Sequence, residues 1–400
     1  MRTCVALAAS AFFALASPAA AMEFSFDAYV DARLVVPSGE RSWVDGGLGK
    51  FRFGAAQPSP NFRIAEAVGQ ATLAIDDELH AIGVLRLEPE QPSGLDILET
   101  YLSWRPAAHG AWRWSAKAGA FFPPVSIEND DLGWSSPYTL TPSAINSWVG
   151  DELRSIGGEA SLVWSGEAGS ATLTGALICC NEPAGVLIAG RGWTLDDRPM
   201  GLFERVRFPD ATAALYGMPV PSRTGMFENI DGQVGWYGQL KWSQTDWGEV
   251  GVLYYDNRAD PTAYTTRDSA WRTKFWSLSL RSRLAGATIL AQAFSGDTAI
   301  GAPAYATYFR AAYLLASHDL GDWRLSARGD VFQVRNFGGA SLTDEDGSAA
   351  TAAVLWSARS WLRLGAELIA LDSRRPERVL EGAPPQSSDA QFQFSARVFL

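Results

Sequence analysis

Gln391-Phe-Gln-Phe-Ser-Ala-Arg-Val-Phe-Leu400 reads as two faces of one extended strand. Phe392, Phe394, Ala396, Val398 and Leu400 fall on one side, and Gln391, Gln393, Ser395 and Arg397 on the other. Successive side chains of a strand point to opposite faces, so this segment is apolar on one side and polar on the other. A soluble sheet can use the same alternation. Here it recurs along the whole chain behind an export leader. That combination predicts an all-β fold, a transmembrane antiparallel β-barrel with apolar residues toward lipid and polar residues toward a lumen.

The same alternation starts at Glu23, with Phe24, Phe26, Ala28, Val30, Ala32 and Leu34 opposite Ser25, Asp27, Tyr29, Asp31 and Arg33. A polar, glycine-rich segment from Pro37 to about Asn61 breaks the pattern and reads as a loop, with Lys50-Phe-Arg-Phe-Gly54 as a small hairpin inside it. Paired strand-like runs then follow at 65–75 with 79–88, 95–105 with 111–121, 155–165 with 169–180, and 232–243 with 248–256. Four further runs pair as 272–283 with 286–295 and 304–316 with 322–335, and the last pair is 348–358 with 361–371. Connections within each pair are short, whereas those between pairs are long: 122–152, 181–231, 257–271, 296–303, 336–347 and 372–389. Short periplasmic turns alternating with long outer loops are the pattern of a membrane barrel, and counting back from Leu400 gives about sixteen strands.

Residues Met1 to Ala21 have a charged start at Arg2, an apolar run and a small-residue end, so residues 1–21 are expected to be a cleaved signal peptide and 22–400 the barrel. No later stretch approaches 18 consecutive apolar residues, which argues against membrane helices. The 16 Trp, 11 Tyr and 20 Phe are instead suited to aromatic girdles at the two membrane interfaces. A net charge of −11 argues against nucleic acid as a partner. Beyond the leader only Cys179 and Cys180 remain, which excludes a zinc cluster and leaves either a vicinal disulfide or two small residues at a strand end. The three histidines, His80, His109 and His318, come with no nucleophile motif, metal-ligand cluster or phosphate loop. The chain is therefore expected to be no enzyme and to carry no cofactor or metal.

An Arg or Lys at the bilayer midplane costs roughly 2–4 kcal/mol, so the charged face of each strand is assigned to the lumen. Trp112 and Trp114 thus face lipid opposite Arg113 and Lys117, and Trp323 and Leu325 oppose Arg324 and Arg328. The inward basic set is Arg33, Arg86, Arg113, Lys117, Lys241, Arg281, Arg310, Arg324, Arg328, Arg363 and Arg397. The inward acids are Asp27, Asp31, Glu66, Glu88, Glu99, Glu159, Glu249, Asp330 and Glu367. Strand 286–295 is ambiguous, because Leu290 and Phe294 oppose Ile289 and Ala291. A barrel of sixteen strands leaves an aqueous channel, so this wall predicts a pore.

Two loops are singled out. Segment 122–152 begins with Pro123 and Pro124, carries Glu128, Asp130 and Asp131, and has no Lys or Arg up to residue 153. It is expected to fold into the lumen as a constriction, its acids facing Arg113, Lys117, Arg324 and Arg328 across the narrowest point. Segment 181–231, with Arg191, Arg198, Arg205, Arg207 and Arg223, reads as a long exposed outer loop, and Asp344-Glu-Asp346 as a loop tip.

Gly119-x-Phe-x-Pro-Pro-x-Ser-x-Glu128, Pro-Tyr-x-x-x-Pro-Ser-Ala at 137–144 and Glu152-Leu-Arg-x-x-Gly157 resemble motifs of the phosphate-selective and related porins of Gram-negative outer membranes. So does the first-loop stretch Trp43-x-Asp-Gly-Gly-Leu-Gly-Lys-Phe-Arg-Phe-Gly54. The resemblance implies a sixteen-stranded, commonly trimeric barrel with its third loop folded inside. Those relatives are strongly basic in the pore, and the acidic 122–153 stretch departs from that pattern. The function expected is passive diffusion of small hydrophilic solutes, with a weak preference for anions or polar solutes. The partners expected are outer-membrane lipid and lipopolysaccharide. The alternative is a closed structural or adhesive barrel that binds partners through its long loops.

Overall fold

The computed structural model describes residues 22–55, 58–89, 94–179, 182, 184–211, 222–227, 230–265, 269–301, 305–337 and 341–400. The expected leader, residues 1–21, and Cys180 lie outside them; Cys179 is disulfide-bonded.

The strands are β1 (Glu23–Val36), β2 (Asn61–Ala74), β3 (Leu79–Leu87), β4 (Leu95–Trp104), β5 (Trp112–Phe121), β6 (Ser155–Gly166), β7 (Gly169–Cys179), β8 (Arg205–Arg207) and β9 (Arg223–Gly225). They continue as β10 (Gly235–Gln244), β11 (Gly248–Asp256), β12 (Arg272–Leu284), β13 (Ala287–Ile300), β14 (Tyr305–Leu320), β15 (Trp323–Phe337), β16 (Glu345–Arg359), β17 (Leu362–Arg374) and β18 (Gln386–Phe399). Sixteen of them, β1–β7 and β10–β18, form a closed antiparallel barrel, and β8 with β9 makes a separate two-stranded ribbon. The barrel closes where β1 meets β18 from Tyr29 opposite Phe399 to Val36 opposite Phe392. Closure leaves no sheet edge, which is the condition for a β-structure to cross a bilayer. Lys50–Gly54 contributes no wall strand and stays within the first loop.

The short turns follow local chemistry. At the β2–β3 turn the Asp76 carboxylate accepts from the backbone N–H groups of Glu78 and Leu79, both at 2.8 Å. Such a side chain holds the chain reversal in place of backbone partners.

Outward faces are apolar where the alternation placed them, with Trp112 47% and Leu177 67% exposed on the wall. On the last strand Gln391, Gln393, Ser395 and Arg397 are buried inside, while Phe392 and Phe394 face out. β13 and β14 depart from the rule. Leu290 and Phe294 of β13 point inward and are buried, as are Phe309, Ala311, Tyr313 and Leu315 of β14. Arg310 therefore stands outward between Tyr308 and Ala312, and its assignment to the lumen is corrected. The rule assumed water inside the barrel. Here the inner surface of β13 and β14 meets apolar loop residues instead, so burying the aromatic face against them is the more favourable arrangement.

Candidate functional site in the barrel lumen

Among the described residues, parts of three loops fill the outer half of the lumen. The first loop, 37–60, holds the Trp43–Asp45 turn; the third, 122–154, holds α1 (Ala144–Glu152); the fourth, 180–234, holds α2 (Val186–Arg191) and the β8–β9 ribbon. The third loop lies inside the barrel, with its backbone held by Gln239 and Gln292 of the wall. In the fourth, Leu187, Ile188, Trp193 and Leu195 are buried, so the reading of 181–231 as an exposed loop is corrected for residues 184–202, while Phe203, Arg205, Arg207 and Arg223 are exposed. Its apolar residues gain more from packing inside than its arginines lose, because those arginines find acids there. Glu345 likewise leaves the expected loop tip and takes the Lys50 ammonium at 2.7 Å and Arg375 at 3.2 Å. Gly192 adopts φ 74°, and a Cβ on it would lie 1.6 Å from the Glu345 carboxylate, so glycine is what lets the fourth loop approach that pair.

One side of the lumen is aromatic. Trp148 of α1 packs within 5.6 Å, ring centroid to centroid, of Phe275, Phe294 and Phe309 on the wall and 6.4 Å from Trp193 of the fourth loop. Polar wall residues on this side bind loop backbone. Gln239 donates to the Pro124 carbonyl at 2.7 Å, Gln292 to the Val125 carbonyl at 2.8 Å and Arg281 to the Ile127 carbonyl at 2.7 Å. At the start of α1, Ser143 caps the helix, and Asp330 of β15 accepts from the Ala144 N–H at 3.1 Å. Carboxylates are favoured at a helix N-terminus by its exposed N–H groups and dipole. Arg328 completes the clamp, reaching Glu128 at 2.8 Å, Asp330 at 2.7 Å and the carbonyls of Thr141 and Pro142 at 2.7 and 3.0 Å.

The other side, on β1–β4 and β18, is ionic. Arg33 meets Asp31 at 2.9 Å and Asp197 at 2.6 Å, and Arg397 meets Asp31 at 2.9 Å. Arg86 bridges Glu66 at 2.8 Å and Glu88 at 2.9 Å, while Glu88 also takes Arg52 at 2.9 Å and Arg198 at 2.7 Å. Burial raises the Asp197 carboxyl, but Arg33, Arg52 and Arg86 around it outweigh burial and hold it below the usual carboxylate range. Elsewhere in the loops burial prevails. It pushes the carboxyls of Glu152 and Glu182 up to about 7 and that of Asp196 up to about 6.

The ionic side opens at its outer end into a cleft of about 500 Å³ between the first and fourth loops. Arg52, Arg63, Arg198, Arg205, Arg207 and Arg223 line it, against the acids Asp45 and Glu204. At its inner end lies a more open vestibule, where Lys117, Lys241, Arg281 and Arg363 are 18–36% exposed. Between the two, every wall strand contributes buried inward side chains, from Arg33 and Glu66 to Thr174, Leu253, Glu367 and Gln393.

The candidate site residues are dispersed across these levels. Glu128 is buried and paired with Arg328. Asp130 pairs with Arg281, and Asp131 with Arg363 at 3.3 Å, both facing the vestibule. Lys117 pairs with Glu159 on the neighbouring strand, and Arg324 with Asp319, so neither faces a loop acid across a gap. Arg324 does reach the loop backbone, donating to the Pro137 carbonyl at 2.8 Å. Arg113 is exposed near the periplasmic end, and Arg310 lies outside the lumen. What sequence reasoning missed is α1 itself and the role of Arg52 and Arg198. The Ser143–Asn146 cap was the available signal for the helix, whereas nothing in the spacing of Arg52 and Arg198 brings both to Glu88.

No protein-family model matches the sequence, and no curated protein is similar to it in sequence. Solved structures do share its fold. The outer-membrane channel DcaP of Acinetobacter baumannii superposes with a TM-score of 0.56 at 9% identity, covering 96% of this chain and 100% of that one. The anion-selective porin of Comamonas acidovorans gives 0.55 at 9% identity, with 95% and 100% covered. In vitro folded OmpT of Vibrio cholerae, in its trimer form, gives 0.53 at 10% identity with the same coverage. At such identities the likeness concerns the fold: a sixteen-stranded barrel of the outer-membrane porin kind.

Proposed function

We propose that the protein is a channel of the Gram-negative outer membrane that passes small hydrophilic solutes, with a preference for anionic or polar ones. The carrying observation is the outer cleft, with six arginines against two acids, continuous with the ionic side of the lumen. An arginine fork binds carboxylate or phosphate through two parallel hydrogen bonds. Arg33, Arg86 and Arg52 each already hold two acidic partners, so an entering anion can replace one without leaving the guanidinium bare. Passage then proceeds by exchange along Arg52 and Arg198, Arg33 and Arg86, Arg397 and Arg363, into the vestibule. In this reading 122–152 narrows the lumen. Assembly as a homotrimer belongs to the same reading, as does an exported precursor cleaved after residue 21.

Planar-bilayer recording in asymmetric potassium chloride tests it. The expected result is stepwise current with a reversal potential on the anion side, shifted toward cations by Arg205→Gln with Arg223→Gln. A conducting channel whose selectivity those two substitutions leave unchanged would count against the cleft as the entrance. The ring of buried inward residues favours a second reading, a closed barrel that binds a surface partner through its loops. Complete electrical silence would select it.

A further inference from the structure

The outside of the barrel is divided as sharply as the inside. Every outward position on β1–β7 and β10 is uncharged. Apart from Arg359 at the periplasmic end of β16, outward charges occur on β11–β17 toward their outer ends, and several are paired: Arg272 with Asp256 at 3.0 Å, Lys274 with Asp297 at 3.6 Å, Arg335 with Asp346 at 2.6 Å. Arg310, like Arg374 of β17 opposite Asp346, has no ion-pair or hydrogen-bond partner among the described residues, and its neighbours across the sheet are Ser295 and Gln333. Gln333 and Arg335 both spend their donors on Asp346, which leaves that carboxylate engaged beside it.

Its height is informative. Arg310 is ten residues from Leu320, the periplasmic end of β14, where Trp323 lies opposite. At about 3.3 Å per residue and a tilt near 40°, that places it roughly 25 Å up, at the top of a typical apolar band. Tyr308 stands just above it on the same face. This is the level of lipid headgroups rather than of acyl chains. Below Arg310 the outward surface is shallow. One groove is bounded by Ala293, Ala312, Val331 and Gly347, and a second, further down, by Ala316, Ala327, Ala352 and Ala370. Larger residues, Trp276 and Leu278 on one side and Leu314 and Leu368 within, form the ridges.

We infer that this strip is a binding site for a phosphate-bearing lipid of the outer leaflet, with the phosphate on Arg310 and an acyl chain in the alanine-lined groove beneath. A guanidinium at the interface is satisfied by a phosphate fork, and a hydrocarbon chain fills a groove that flanking side chains leave open. A second copy docking through its β1–β7 wall would bring no acid to Arg310, because that wall has none outward. The inference is independent of whether the lumen conducts.

Native mass spectrometry of the delipidated, detergent-folded protein, titrated with diphosphoryl lipid A, provides the test. One lipid is expected to be retained, with affinity about tenfold lower for Arg310→Gln. Ala312→Trp, which fills the groove and keeps the guanidinium, is expected to weaken retention as well, and dephosphorylated lipid A to bind the unaltered protein poorly. Heat-modifiable gel mobility verifies folding, and if a variant fails to fold the phosphate dependence of the unaltered protein decides alone. Equal retention of phosphorylated and dephosphorylated lipid, or equal retention by Arg310→Gln, overturns the inference. So does loss of oligomers in Arg310→Gln with lipid retention unchanged, which would assign the strip to a second copy.

Discussion

The two sides of the lumen are built from the same alternating strands and are held by opposite physics. On β12–β14 the inward row is Phe275, Phe294 and Phe309, and it grips the loops through Trp148 and Trp193. On β1, β3 and β18 the inward row is Arg33, Arg86 and Arg397, and it grips them through Asp197 and the Pro199 carbonyl. Apolar packing is non-directional and gains in proportion to area, so the aromatic side fixes where the loops sit. Buried ion pairs return little net stability once desolvation is counted. In the proposed channel, anchoring belongs to the aromatic side and passage to the ionic side.

The largest expected effect tests the anchor. Trp148→Ala removes the ring that meets three wall phenylalanines and should cost roughly 3–5 kcal/mol of stability. Denaturant unfolding in detergent measures this, and single-channel conductance should rise as the third loop loosens. Unchanged conductance would mean that the aromatic side does not limit passage.

A middle-sized effect comes from pH. Burial raises Glu152 and Glu182 from 4.5 to about 7, so the folded loops hold protons that the unfolded chain releases. Their stabilisation is fully present below pH 4.5 and lost as pH rises through about 7, at most roughly 3 kcal/mol per group. Hydrogen exchange of the amides in 184–192 should therefore open more readily at pH 8 than at pH 5, after correction for intrinsic rates. Glu152→Gln should flatten the difference.

The smallest effect belongs to the vestibule. Asp131 and Arg363 are 37% and 18% exposed, so solvent screens their pair, and Asp131→Asn should change stability by less than about 1 kcal/mol. Unfolding midpoints check it. A loss of several kcal/mol would mean that the inner rim is part of the anchor.

Strand number, order and turn placement were legible because a period of two and the lengths of the connections are local properties. For 122–152 the available cues were its length and the prolines at 123 and 124. Arg310 was misread because the facing of β14 depends on Trp148, more than 150 residues earlier in the chain. The fourth loop was misread because its arginines look solvated until Glu88, Asp151 and Glu204 are seen around them.

By itself the sequence determined that the chain forms strands apolar on one face and polar on the other, paired through alternating short and long connections, because a period of two and the length of a connection are local properties. Only the tertiary structure decided what fills the cylinder. Whether an inward position meets water, a carboxylate or an aromatic ring is set by loops folding back over long separations, and burial energies that depend on such partners are not written in any local period.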